Sequence, residues 1–237
     1  MTVKAKPLPS SRRRTRASRS TPHAALLTAC TLALIAGPAQ GVVRTWNGTS
    51  GGVWGIAGNW TPNGLPGSTD TATFTDAATV RTIDLGTNRT VGDLAFTGAS
   101  TYRLNGQTLT LQTGNLASTG GGSHRFTSNV GLNASGVWGI NGGAIELTGT
   151  INSAYGITKQ GSGSLRFAGA TNTLQYLRAE AGSVVFDEGT FALTSTTSDA
   201  YTALWAAGST VNIGHGAASA ACPAAASSSK DRTRTVP

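Results

Sequence analysis

Residues 156–173 read GITKQGSGSLRFAGATNT. Within them Leu165 and Phe167 stand two apart between polar neighbours, and in an extended chain residues two apart point to the same face. Gly161 and Gly163, just ahead of the pair, supply the backbone freedom of a tight turn. A short strand with one apolar face cannot bury that face alone, so the pattern has to recur.

It does recur. Leu94/Phe96, Leu109/Leu111, Phe126 with nearby Val130, Ile145/Leu147, Val184/Phe186 and Val211/Ile213 repeat the motif. The first members of successive pairs, Leu165 included, advance by 15, 17, 19, 20, 19 and 27 residues. Between them lie Gly98, Asn105-Gly106, Gly120 to Gly122, Gly142-Gly143, Gly161 to Gly163 and Gly182. A step near twenty, with one short apolar pair and Gly/Asn turns, suits one coil of a solenoid whose rungs bury their apolar faces against each other. An antiparallel sandwich or barrel is the competing reading, and Asn105-Gly106 fits a hairpin turn.

The same stretch, continued through Ala181-Gly182-Ser183-Val184-Val185-Phe186, resembles the autotransporter-associated (passenger-associated) β-strand repeat. Gly156, Thr158-Lys159, Gly161, Gly163, Leu165, Phe167, Gly169 and Asn172-Thr173 fall on that pattern, and the chain departs from it at Gln175 to Arg178. Upstream, Thr45-Trp46-Asn47-Gly48, Gly52-Val53-Trp54, Asn59-Trp60, Gly64-Leu65-Pro66-Gly67 and Asp70 to Phe74 resemble the opening of bacterial exported β-repeat proteins of this group. The resemblance, more than the loose spacing, favours the solenoid. It implies an all-β fold, a right-handed parallel β-helix of irregular short rungs, in a surface or adhesin-like structural protein.

Composition agrees with a strand-and-turn protein: 12% of residues are charged and 32 are Gly, which with abundant Thr, Ser and Asn disfavours a helical globule. The net charge of +8 suggests a polyanion partner until it is placed along the chain. Lys4, Lys6, Arg12, Arg13, Arg14, Arg16 and Arg19 all precede residue 42 with no acid among them, and without them 11 basic residues face 10 acidic ones. Nucleic-acid binding, which needs clustered cations on the folded surface, is not expected.

The basic run leads into AALLTACTLALIA at 24–36, then Gly37-Pro38 and Ala39-Gln40-Gly41. That order is that of a secretory signal peptide, with cleavage expected after Gly41. Thirteen apolar residues are too few for a comfortable span, so no membrane span is expected in the mature chain. Arg12-Arg13 hints at twin-arginine export and Leu27-Thr28-Ala29-Cys30 at a lipoprotein box, but neither has the expected flanks. With Cys30 removed only Cys222 remains, so no internal disulfide is expected. Cys222 sits in an Ala/Ser-biased tail whose change of composition points to a truncated or frameshifted reading frame.

The expected organisation is therefore a signal peptide at 1–41, a Trp-rich N-terminal cap at 42–90, a β-helix repeat region at 91–215 and a disordered Ala/Ser tail at 216–237. Trp46, Trp54 and Trp60 read first as a cap over the first rung's open end. Their alternative role is a stacking platform for sugar rings. Gly136-Val137-Trp138 echoes Gly52-Val53-Trp54, which favours a structural role.

Catalytic patterns are not found. Asp187-Glu188 is an adjacent acidic pair whose members point to opposite faces in a strand, whereas glycoside hydrolysis needs two carboxylates facing one bond. Gly214-His215-Gly216 resembles a polygalacturonase motif without its acidic partners. His23, His124 and His215 are too far apart in sequence for a ligand set, and no Cys/His ligand spacing occurs, so neither a metal nor another cofactor is expected. Asn47, Asn59, Asn88 and Asn133 head glycosylation triplets that a Thr/Ser-rich chain generates by chance. The sequence is thus read as a non-enzymatic, exported protein of the cell surface or outer membrane. Its partners would be extracellular or cell-surface glycans or proteins. A secreted carbohydrate-binding or polysaccharide-active β-helix is the alternative.

Overall fold

The computed structural model describes residues 41–187, 189–194, 204–206 and 209–213. Residues 1–40, where the signal peptide is expected and which include Cys30, and Glu188, His215, Cys222 and the Ala/Ser tail lie outside the described residues.

The described chain is all-β apart from one 3-10 turn at Ala57–Asn59, and it winds as a parallel β-solenoid. The quoted stretch forms one coil from three strands, Ile157–Gln160, Ser164–Phe167 and Thr171–Leu174. Each strand belongs to a different sheet, here faces A, B and C, and each pairs with its equivalents in the coils above and below. Among the described residues the coils from Thr71 to Leu193 are complete, six in all, and Leu204–Ala206 and Ser209–Ile213 add strands to faces A and B.

The register resolves the uneven spacing in the sequence. Leu94 and Phe96 lie on face A, Leu109 and Leu111 on face C, and Phe126, Ile145, Leu165 and Val184 on face B. The steps of 15 and 17 therefore pass between faces and do not measure a coil. Within one face the advance is regular: Leu94 pairs with Leu116, Leu109 with Val130, Ile145 with Leu165 and Leu165 with Val184. These are steps of 22, 21, 20 and 19 residues, and the step from Val184 to Val211 widens to 27. Each coil thus carries three strands where the apolar pairs alone suggested one.

Asn105-Gly106 is a corner of the coil. Gly106 has a φ of 100° and joins a face B strand to a face C strand, with no hairpin pairing across it. The sandwich reading fails because the pairings are parallel, except where Trp60–Thr61 runs antiparallel to Val43–Trp46.

Alternation in burial explains why short strands suffice. In Ser164–Phe167 only Leu165 and Phe167 are buried, and the same alternation holds at Asp93–Phe96, Thr108–Leu111 and Ala144–Leu147. The inward residues form one continuous core running along the stack. Its upper part is aromatic, with Phe74 stacked on Phe96 at 5.1 Å, and its lower part groups Phe167, Phe186 and Phe191.

The corner between faces A and B is closed by glycine. Gly161 and Gly182 have φ of 79° and 73°, where a β-carbon is strained. A β-carbon there would also run into the carbonyl oxygen of Ile140 or of Gly163 in the coil before. Gly161→Ala is therefore expected to lower stability by about 3 kcal/mol, strain and crowding together. Gly51 also has a positive φ, 87°, but open space around it. Urea unfolding of Gly51→Ala should show a distinctly smaller loss; equal losses would exclude coil-to-coil crowding as the cause.

Candidate functional site

Trp46, Trp54 and Trp60 do come together, but as an interior plug. Their exposures are 0, 0 and 1%. Trp60 meets Trp54 and Trp46 edge-on at 4.6 and 5.1 Å, and all three lie against Phe74. The Trp46 indole N–H donates to the Val80 carbonyl at 2.8 Å and that of Trp60 to the Trp54 carbonyl at 2.9 Å. Stacking on a sugar needs an open ring face, and these rings offer none, which disfavours the sugar platform given as the alternative to a cap.

The N-terminal end is finished above the plug. Trp60–Thr61 covers the edge of face A, and Val53 bridges to Asp84 at the edge of face B. Asn59, fully buried, accepts from the Ser50 N–H and donates to the Gly51 and Val53 carbonyls, so it holds this segment together. Asp70 accepts from the N–H groups of Val42 and Gly67 and pairs with Arg44 at 3.2 Å. These hydrogen bonds and the guanidinium hold its carboxyl below the usual carboxylate range, against the opposing effect of burial.

Two basic side chains lie where the solenoid pattern asks for apolar ones. His124 occupies the position between Tyr102 and Ile145 on face B and is 1% exposed. Its ring stacks on Phe96 at 3.9 Å, and its Nδ1 accepts the Tyr102 N–H at 3.3 Å. Its Nε2 is buried without a hydrogen-bond partner among the described residues. Burial pushes its pKa down to about 4, so the imidazole is neutral at physiological pH.

Lys159 pairs in register with Trp138 and Ala179 on face A. Its Nζ donates to the carbonyls of Gln160, Gly161 and Ala181 at 3.0, 2.7 and 2.9 Å. Three acceptors match the three N–H bonds of an ammonium. Burial pushes this pKa down to about 8, which leaves the amine mostly protonated at neutral pH. Lys159 is thus a strut: it ties the glycine corner of its own coil to that of the next.

On the outer surface of face B, among the described residues, an array of charges crosses several coils. Arg103, Arg125, Glu146 and Arg166 occupy one outward file in direct register. Glu146 receives Arg166 at 3.3 Å and Arg125 at 3.6 Å, and Arg166 also contacts Asp187. Beside this file runs a groove of about 290 Å³. The apolar pairs direct attention inward, so the sequence reading passed over the file. Its signal was the recurrence of charge one residue after an inward position, at 103, 125, 146 and 166.

A second, more open trough of about 510 Å³ lies on face A over Ala95, Ala117 and Gly139. Its walls bring together little chemistry, with Asp93 already accepting from the Thr113 hydroxyl and Asn115 from the Val137 N–H. Among the described residues no three His, Cys, Asp or Glu side chains gather closely enough to hold a metal ion. No helix among them is long and apolar enough to cross a membrane. The chain matches no family model, no curated protein and no solved structure.

Proposed function

We propose that the chain is an exported, non-enzymatic structural repeat protein of the autotransporter-passenger type, working at the cell surface as an adhesin-like module. The observation that carries this reading is the coil at 157–174. There the stretch that resembles the passenger-associated repeat forms one complete turn of a parallel solenoid, in register with both neighbours. Such a stack supplies long, flat faces of repeated polar side chains without requiring a reaction centre. The signal-like order of residues 1–41 supplies the route to the surface.

The test is fractionation of a bacterium expressing the full chain, followed by protease treatment of intact cells and mass spectrometry of the mature N-terminus. A product beginning at Val42, outside the cytoplasm and accessible to added protease, is expected. An uncleaved chain confined to the cytoplasm would overturn the proposal.

A further inference from the structure

Face B places Arg103 and Arg125 side by side on adjacent coils, in register. Stacked strands stand about 4.8 Å apart, and like charges held at that spacing repel. Among the described residues Arg103 makes no ion pair and its side chain no hydrogen bond. Arg125 fares little better: its Nε is buried with no hydrogen-bond partner, and Glu146 stands off at 3.6 Å. Glu146 has a closer partner in Arg166. The upper end of the file therefore carries two positive charges with less than one carboxylate to balance them.

The groove beside the file has a second wall of a different kind. Ser123, Ala144 and Ser164 pair in register, and Thr101 continues that line. The hydroxyl groups of Thr101, Ser123 and Ser164, interrupted by Ala144, thus line one side, and three guanidinium groups, interrupted by the Glu146 carboxylate, the other, over four coils, roughly 14 Å from three steps of about 4.8 Å. The groove runs along the stack, across the strands.

We propose that this groove binds an acidic polysaccharide, with one carboxylate or sulfate bridging Arg103 and Arg125 and the sugar hydroxyls lying along the Thr/Ser file. Guanidinium forks suit both anions, because two parallel N–H bonds meet two oxygens. Engagement of Arg125 takes it from its long contact with Glu146, which remains paired to Arg166. The file is interrupted: below Arg125 the carboxylates of Glu146 and Asp187 alternate with Arg166, so it offers a local anion position and not the continuous run of cations that a phosphate backbone needs. The proposal deepens the surface reading by naming what one face contacts, and rests on that reading only for where the ligand is met.

The test is calorimetric titration of the purified full chain with oligogalacturonate, dextran sulfate, neutral dextran and single-stranded DNA. Binding to the carboxylated or the sulfated polymer, weakening as salt is raised, is expected, with none to dextran. The two acidic polymers tell which anion the arginines take. The double variant Arg103→Ala/Arg125→Ala should bind at least tenfold more weakly. Arg178→Ala, on face A, should bind as the unaltered chain does. Arg103→Glu gives Arg125 a partner, so it should abolish binding while raising the melting temperature, an outcome that misfolding cannot mimic. Equal affinity in the double variant, tighter binding to DNA, or no binding to either acidic polymer would each overturn the proposal. Because binding is measured on purified protein, its failure is separate from any failure of the chain to reach the surface.

Discussion

Trp60→Ala is expected to cost the solenoid about 4 kcal/mol, the range for removing a large buried aromatic side chain. Trp60 is 1% exposed and touches Trp46, Trp54 and Phe74, so no flexible surface can collapse into the space it leaves. The lost indole N–H also frees the Trp54 carbonyl inside the core. Native domains are stable by only about 5–15 kcal/mol, so one substitution removes a large share of the total. Trp60→Phe keeps most of the ring and should cost less than half as much. Urea unfolding followed by circular dichroism measures both. A near-neutral Trp60→Ala would mean that the three indoles do not form a plug. A loss of ligand binding with unchanged stability would restore the platform reading.

Acid should weaken the fold through His124 before the carboxylates titrate. The unfolded imidazole takes up a proton near pH 6.5, whereas burial holds the folded one to about pH 4. Between those values the unfolded chain binds the proton and the folded chain does not, so stability falls as the pH drops from 6.5 to 4. The full loss is about 3 kcal/mol, from the two and a half pH units separating the states at about 1.4 kcal/mol each. Asp70 and Asp76 have lowered pKa values, so their contributions are lost mainly as the pH falls through and below the ordinary carboxylate value of 3.8 and touch that window only at its acid end. His124→Leu should flatten the dependence between pH 6.5 and 4, whatever it costs at neutral pH through the lost acceptor for the Tyr102 N–H. Chemical unfolding at half-unit pH steps gives the slope. A wild-type chain with constant stability across this window would show that His124 is hydrated or protonated in the folded state.

The inward half of the fold was legible in the sequence. Leu94/Phe96, Ile145/Leu147 and Leu165/Phe167 point into the core as their spacing implied, because alternation along a strand is a local property. The three-strand coil was harder to read, because its strands are only two to five residues long and several carry one apolar residue where a pair was sought. Ile151–Asn152 shows a single buried side chain, and Arg103–Asn105 likewise only Leu104. His124 and Lys159 were hidden for a different reason. Their side chains are polar, so a hydrophobic pattern scores them as surface, and only the register shows that each occupies an interior position. The Trp cluster was read first as a structural cap, and what the sequence did not show is the antiparallel return at Trp60–Thr61 that folds the rings inward. The face B file was missed because outward residues carry no periodicity that burial enforces.

The two ends of the stack are not equivalent in how the protein can change length. At the N-terminal end a reversed strand on face A and the Val53–Asp84 bridge on face B occupy hydrogen-bonding groups that another parallel coil would need. Every later coil meets only the one before and the one after it, so duplicating a segment such as 136–156 would insert a turn whose two surfaces already fit its neighbours. Lengthening by gene duplication is therefore open below the tryptophans and closed above them, which makes the plug the fixed origin from which relatives of different size would be counted.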